Sequence, residues 1–147
     1  MKIKDYISYL KELNACSEAV EWSGQFETSQ EAWDNCERGD WMLWLLGKQA
    51  GEPESKSRKK IVLAACECAR LSLKHIPKTE KRPLEAIQTA EKWAKGIGGI
   101  SLQDVKDAAD AANAAAYAAD AAQAKTLEKC ANIVRKHYPK LIIKRRR

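Results

Sequence analysis

The sequence is poor in the residues from which β-sheets are built. It has one phenylalanine and four valines among 147 residues, and no segment alternates apolar and polar side chains at every second position. Half-buried strands show that alternation, so a sheet is not expected. No apolar run approaches the roughly 20 residues of a membrane-spanning helix, and no signal peptide is evident. We therefore expect a cytoplasmic protein without a membrane partner.

Residue patterns for metal binding and catalysis are also missing. The five cysteines are odd in number and contain no CxxC pair, and Cys66 and Cys68 fall about 200° apart around a helix, so they cannot chelate one ion. Neither His75 nor His137 has a cysteine or acid at catalytic spacing, and no serine has the setting of a hydrolase nucleophile. We expect buried thiols, no catalytic residues, no metal and no cofactor.

The first third of the chain reads as short helices. Apolar residues recur at helical spacing from Ile3 onward, and Thr28 with Glu31 forms a capping-box pattern. Asp40 is predicted to cap the next helix, which is apolar on nearly all sides and should be the most buried element. The segment 51–55, Gly-Glu-Pro-Glu-Ser, is the best candidate for a linker.

Longer helices are predicted after this segment. One runs from Lys56 to His75, ahead of Pro77, and the next has Pro83 in its first turn and closes at Gly96. The last helix opens at Ser101 with Asp104 as its capping partner and is rich in alanine from residue 105 to 124, with a continuation to Tyr138 left open. The predicted fold is all-α, a compact multi-helix bundle with a long alanine-rich C-terminal helix.

Charge divides this single predicted domain, residues 1–147, into unlike parts. Residues 1–54, the acidic short-helix part, carry 5 basic and 11 acidic groups, whereas the whole chain has a net charge of +6. Residues 55–138 form the long-helix part, and residues 139–147 form a basic tail. Because long-range attraction depends on where charge is concentrated, the acidic part and the basic parts predict different partners.

The alanine-rich helix carries a polar ridge that is a candidate for partner binding. Its members recur at steps of three or four, which places them on one side of the helix. A solvated helix face with acidic charge near its N-terminus gives the same pattern, and the alanine face suits both an intramolecular contact and a homodimer. The ridge consists of Asp104, Asp107, Asp110, Asn113, Tyr117 and Asp120.

Tryptophan and basic clusters supply the remaining candidates. Trp22 and Trp33 stand beside acidic residues and are candidates for a binding surface, whereas Trp41, Trp44 and Trp93 have apolar neighbours and suit a core. Two basic clusters are candidates for phosphate or nucleic-acid contacts, although a solubilising face and a frayed tail fit them equally. These clusters are Lys56, Arg58, Lys59 and Lys60, and Lys144, Arg145, Arg146 and Arg147.

Four stretches of the chain resemble a bacterial and phage family of immunity-like proteins. The order of these stretches is the specific feature, because alanine-rich helices match many proteins. The likeness covers most of the chain and implies an all-α fold. It lies in residues 31–45, 58–70, 82–94 and 130–136.

The resemblance implies a protein that binds and blocks a toxin, without supplying residues for the binding site. We therefore expect a non-catalytic protein-binding inhibitor, of immunity type, whose acidic ridge or acidic N-terminal part complements a basic toxin or nuclease. Family members in phages imply an alternative, an anti-CRISPR-like counter-defence inhibitor of a host nuclease complex. A third hypothesis, from the basic clusters, is a helical protein that binds nucleic acid without sequence specificity.

Overall fold

The computed structural model describes residues 1–107 and 123–144, and these residues form an all-α fold, as predicted. Among them, the only β-type pairing is one isolated antiparallel bridge between Lys2 and Thr28. The helices are α1 (Ile3–Glu12), α2 (Ser17–Ser23), α3 (Ser29–Asn35), α4 (Gly39–Gln49), α5 (Lys56–Arg70), α6 (Arg82–Lys95), α7, of which residues 102–107 are described, and α8 (Gln123–His137).

The start of α3 is fixed by the predicted capping box. The Thr28 hydroxyl accepts a hydrogen bond from Glu31 N at 3.2 Å, and the Glu31 carboxylate accepts one from Glu27 N at 2.9 Å. Ile3 N donates to Glu27 O at 3.0 Å. The beginnings of α1 and α3 are therefore held together, and backbone donors at the start of α3 find side-chain acceptors.

Helix α4 begins differently from the prediction. Arg38, at the N-cap position, forms no side-chain cap hydrogen bond. Asp40 lies in the first turn, where its carboxylate accepts two hydrogen bonds from the Arg38 guanidinium, at 2.7 and 2.9 Å. The prediction that Asp40 caps α4 was wrong, because a nearby guanidinium takes its oxygens.

Gly39 allows α4 to approach α8 closely. A Cβ atom at this position would lie 2.5 Å from Cys130 Cβ and 2.7 Å from Ala131 N. Further along α4, Met42 and Leu45 are buried in the core. A glycine at the crossing point thus sets the distance between the two helices.

Helix α5 packs between α6 and α8. Cys66 Sγ lies 3.8 Å from Ile87 O of α6, and Cys68 Sγ lies 3.6 Å from Cys130 O of α8. The two thiols therefore point to opposite faces, as their spacing predicts. They lie in two separate helix contacts.

Helix α5 ends earlier than predicted. Its last residue is Arg70, and Leu71 N donates to Cys68 O, three residues back, at 3.1 Å. Such a bond tightens the last turn and ends the α-helical register. A separate 3-10 turn, Leu73–His75, follows, so the prediction of one helix to His75 was wrong.

The ends of α6 and the start of α7 agree with the sequence signals. Pro83 lies in the first turn of α6, and Gly96 closes it in the left-handed conformation, with φ of 69°. Asp104 N donates to the Ser101 hydroxyl at 3.1 Å, and Ser101 N donates to the Asp104 carboxylate at 2.9 Å. The alanine-rich residues 108–122 lie outside the described part, and α8 ends at His137, ahead of Pro139.

The main hydrophobic core joins the N-terminal helices to α8. Among the described residues, no helix has the length and apolar content needed to cross a bilayer. Residues from the first third of the chain supply most of the core, and α5 contributes one side chain. The buried members are Tyr6, Tyr9, Leu10, Ala32, Trp33, Cys36, Met42, Leu45, Cys68, Cys130, Ala131 and Val134.

The segment after α8 is attached to the N-terminal helices and is not a free tail up to residue 144. Leu141 N donates to Gln30 Oε1 at 2.9 Å, and Gln30 Nε2 donates to Pro139 O at 3.1 Å. Lys144 N donates to Gln49 Oε1 at 2.8 Å. The predicted basic tail is thus anchored through residue 144, because two glutamine side chains satisfy its backbone.

Candidate partner-binding site

An open groove of about 790 Å³ has aromatic rings in its wall. The rings of Trp22 and Phe26 meet edge to face with their centroids 4.9 Å apart, and the Trp22 and Trp41 centroids lie 6.0 Å apart. Trp22 and Phe26 come from α2 and the turn after it, whereas Trp41 comes from α4. Half-buried tryptophans of this kind are common where protein partners bind.

Arg38 holds Trp41 in place within this groove. Its guanidinium carbon lies 4.5 Å from the centroid of the Trp41 ring, and its nitrogens contact Asp40 at 2.7 Å and Glu18 at 3.9 Å. Burial alone raises the pKa of Asp40, but hydrogen bonds and charge from Arg38 outweigh burial and lower that pKa below its usual value. Both groups are therefore charged at neutral pH, and the stacked ring is fixed before any partner arrives.

The rim of the groove is acidic. Glu18 and Glu37 line it, both are exposed, and the Glu18 side chain is 76% accessible. The positive charge in the lining, on Arg38, is already paired with Asp40. Glu18 also lies 3.9 Å from Arg38. The three carboxylates of Glu18, Glu37 and Asp40 nevertheless outnumber this one guanidinium. The groove therefore combines apolar rings with an excess of negative charge, which favours a basic partner.

A cavity of about 380 Å³ lies behind the groove and shares two of its walls, Trp22 and Trp41. Its interior includes the buried side chains of Tyr6, Leu10 and Leu45. The groove and the cavity thus form one continuous aromatic region in the first third of the chain.

The structure separates the two tryptophans that were predicted to bind a partner. Trp22 lines both the groove and the cavity. Trp33 is 2% exposed, and its Nε1 donates to Tyr138 O at 2.8 Å. The expectation of a surface position was therefore wrong for Trp33, because the chain beyond α8 covers its ring.

Sequence reasoning missed the role of Trp41 and Arg38. The apolar neighbours of Trp41 suggested a core position, but it is half-buried and reaches the groove. The spacing of two positions between Arg38 and Asp40 would have been a weak signal for a local ion pair, and nothing in the pattern shows that Glu18 joins them from α2. The one sequence feature that pointed to this groove, apart from Trp22, was the acidic charge of residues 1–54.

The acidic ridge is described only at its beginning. Asp104 and Asp107 are exposed, and the hydrogen bond from Ser101 N lowers the pKa of Asp104. Asp104 therefore works as part of the helix cap. The other members of the ridge, Asp110, Asn113, Tyr117 and Asp120, lie outside the described residues.

Arg58 and Lys144, one residue from each basic cluster, bond to residues at the end of α4 and just after it. Lys60 Nζ lies 4.5 Å from the centroid of the Tyr138 ring, at the start of the C-terminal segment. Lys144 lies against Gln49, and Arg58 donates to Gly51 O at 3.3 Å, two residues further along the chain. Residues 49 and 51 thus each bond to a basic residue, and these two basic residues are about 85 positions apart in sequence.

The remaining basic candidates have different surroundings. Lys56 is exposed at the start of α5, whereas Lys59 Nζ lies 5.2 Å from the centroid of the Trp93 ring. Arg145, Arg146 and Arg147 lie outside the described residues.

The cysteines do not form a reactive centre. Four of the five are buried and all five are free thiols. Burial raises the pKa of Cys36, and it raises that of Cys66 to about 11, so these thiols are protonated at neutral pH. Within the described ranges, no three side chains are grouped as metal ligands.

Comparison with known proteins identifies the family. The profile of a family described as Imm-5 like putative immunity protein matches residues 51–134, more than half of the chain. No curated protein and no solved structure matches the chain. The match begins after α4, so the aromatic region lies almost entirely outside it. By this match the chain belongs to the Imm-5 like putative immunity protein family.

Proposed function

We propose that this protein is a non-catalytic inhibitor that neutralises a toxin or nuclease by direct binding, and that the groove around Trp22 and Trp41 receives a basic surface of that partner. The family supports an immunity-type role. The observation that carries the choice of surface is the combination of packed aromatic rings and an acidic rim in one open groove.

The two parts of the groove contribute in different ways. Aromatic rings provide a large apolar contact area, and they are frequent among the residues that dominate binding energy. Exposed acids such as Glu18 and Glu37 attract a basic partner over a distance and reject acidic proteins. The rings are thus expected to slow dissociation, and the rim is expected to raise the association rate, and with it the affinity, and to give selectivity.

The fixed position of Trp41 also favours binding. Arg38 stacks on the ring and is itself held by Asp40. A side chain that is ordered before binding loses less conformational entropy when the partner arrives. The groove is therefore organised in the free protein.

The test is a pull-down from host lysate with the tagged protein, with and without nuclease treatment, at moderate salt. The groove variant is Glu18→Gln with Glu37→Gln. The matched control is Glu52→Gln with Glu54→Gln, which removes two exposed acids of the same acidic part from the segment between α4 and α5. The captured protein is then purified, and its binding and activity are measured with each variant.

We expect one nuclease-resistant protein whose activity is inhibited, with affinity for the groove variant reduced at least tenfold and affinity for the control unchanged. Equal affinity of both variants contradicts the proposal that the groove binds the partner. Recovery of many proteins that disappears with nuclease treatment contradicts the inhibitor and supports nucleic-acid binding through the basic clusters. The identity of the captured protein separates a toxin from a host defence nuclease, the counter-defence alternative.

A further inference from the structure

The cavity behind the groove has the size of a small-molecule site. Its volume is about 380 Å³, within the range of about 300–1,000 Å³ that is typical of ligand pockets. Aromatic and aliphatic side chains form most of its wall, including Trp22, Trp41, Trp44 and Leu45. An apolar cavity of this kind holds water poorly and takes apolar ligands.

One polar group in the wall has no hydrogen-bond partner among the described residues. Tyr6 is 6% exposed and lines the cavity, and its hydroxyl forms no hydrogen bond with any residue that the structure describes. Its oxygen is not among the side-chain atoms that are closed off from solvent without a partner, so a molecule in the cavity can reach it. Burial raises the pKa of Tyr6, so the hydroxyl keeps its proton and can donate it in a hydrogen bond.

The cavity opens to solvent beside the loop between α1 and α2. Asn14 and Cys16, both exposed, belong to its lining, and Asn14 has a positive φ of 61°, uncommon for a residue other than glycine. The Asp40 carboxylate also lines the cavity. Because the charge of this carboxylate is paired with Arg38, the lining of the cavity offers no free charge to a ligand, which favours an uncharged one.

We propose that this cavity binds a small, uncharged aromatic molecule of about two rings, which lies against the tryptophans and accepts a hydrogen bond from the Tyr6 hydroxyl. Such a ligand matches the apolar wall, the volume and the unpaired donor together. This site goes beyond the protein-binding function and does not depend on it.

The probe is benzophenone, which has two aromatic rings and one carbonyl acceptor. Diphenylmethane, with the same rings and no carbonyl, is the matched ligand. Binding is followed by calorimetry and by tryptophan fluorescence on the full chain and on three variants: Tyr6→Phe, which removes only the hydroxyl; Ala19→Phe, which fills the cavity from its half-buried wall; and Ala69→Phe, the same substitution at an exposed position of α5. Circular dichroism verifies that each variant is folded.

We expect saturable one-to-one binding of benzophenone to the unmodified protein and to Ala69→Phe, and loss of binding in Ala19→Phe. Tyr6→Phe should weaken benzophenone binding about fivefold, the usual effect of one neutral hydrogen bond, and leave diphenylmethane unchanged. Failure of the unmodified protein to bind benzophenone overturns the proposal. The cavity would then be a place for an apolar side chain of a protein partner. Equal affinity of Tyr6→Phe for benzophenone also overturns it, because the hydroxyl then takes no part.

Discussion

Residues 1–50 and the family-matched residues 51–134 bury their surfaces with different kinds of side chain. In the first region large rings such as Trp33, Tyr6 and Tyr9 are buried, and a cavity of about 380 Å³ remains among them. In the second region the buried side chains are mostly small or aliphatic, such as Ala64 and Cys66, and Trp93 is the one buried aromatic ring among its described residues. Small side chains let helices approach closely, whereas planar rings fill irregular space less completely.

The same two regions differ in charge. Residues 1–50 carry 9 acidic and 5 basic groups, whereas residues 51–134 carry 11 acidic and 14 basic groups. The family profile matches the basic, closely packed region, and the aromatic groove with its acidic rim lies before it. Under the proposed function, the matched region supports a binding surface that lies almost entirely outside the matched residues.

The largest expected effect tests whether the aromatic region folds together with α8. Trp33→Ala should lower the free energy of unfolding by about 4 kcal/mol, because it removes a large buried ring and the hydrogen bond to Tyr138 O. Urea unfolding measures it. Trp33→Phe is the control, since it keeps a ring and should lose about 1–2 kcal/mol. A loss below about 2 kcal/mol for Trp33→Ala would mean that residues 1–50 contribute little to the cooperative core.

The second prediction concerns the crossing of α4 and α8, where the two regions meet. Gly39→Ala should cost about 3 kcal/mol, because its Cβ would overlap Cys130 and the backbone of Ala131. Gly47→Ala in the same helix is the matched control, because the nearest atom to its Cβ, Arg58 Nη1, is 4.0 Å away.

That control should stabilise the protein by about 0.5–1 kcal/mol, the helix preference of alanine over glycine. Thermal unfolding of both variants gives the comparison. Similar behaviour of the two alanine variants would refute a close contact at Gly39.

A third prediction compares two arginines. Arg135 bonds to residues of the first region, whereas Arg70 and its partner Glu91 both lie within the matched region. The Nη1 atom of Arg135 in α8 donates to Cys36 O at 2.5 Å and to Trp33 O at 3.1 Å. Arg135→Met should cost about 2 kcal/mol, because two partly buried carbonyls lose a charged donor. Arg70→Met, the control, breaks an exposed ion pair with Glu91 and should cost less than about 1 kcal/mol. Equal losses in urea unfolding would contradict the prediction.

The smallest expected effect concerns the ion pair that holds the groove. Asp40→Asn should cost about 0.5 kcal/mol at pH 7, a small value because the carboxylate is partly exposed. The pKa of Asp40 is lowered in the fold, so its stabilisation is present above the unfolded pKa of about 4 and is lost as the pH falls through the folded value.

Urea unfolding at pH 7 and below pH 3 measures this loss. The difference between Asp40→Asn and the unmodified protein should shrink at the lower pH. Glu52→Gln, in the exposed segment between α4 and α5, serves as the control and should leave stability nearly unchanged at both pH values. A difference for Asp40→Asn that grows on acidification would contradict the sign.

Signals that act within a few residues were predicted well. The capping pairs at Thr28 and Ser101 and the stop at Gly96 agree with the structure, because each depends on hydrogen bonds or φ angles within one turn of helix. The wrong predictions involve competition between groups. The Asp40 carboxylate accepts hydrogen bonds from Arg38 and does not cap α4. Helix α5 ends in a tightened turn before His75.

The candidate site was predicted only in part. Acidic charge in the first third and Trp22 were evident from the sequence, and both belong to the groove. Trp41 and Arg38 were not assigned to it, because their position depends on α2 and α4 lying side by side. Trp33 was assigned to the surface, since the sequence does not show that the chain beyond α8 returns to cover it.

The sequence by itself determined the all-α class, most helix ends and the separation of acidic from basic charge, because composition and local periodicity encode all three. Tertiary structure decided which rings are buried, where the groove and its cavity lie, and that Lys144 bonds to Gln49 close to the Arg58–Gly51 hydrogen bond. These features arise from contacts between residues about 20 to 100 positions apart. No local pattern records such contacts, since they depend on how complete helices pack.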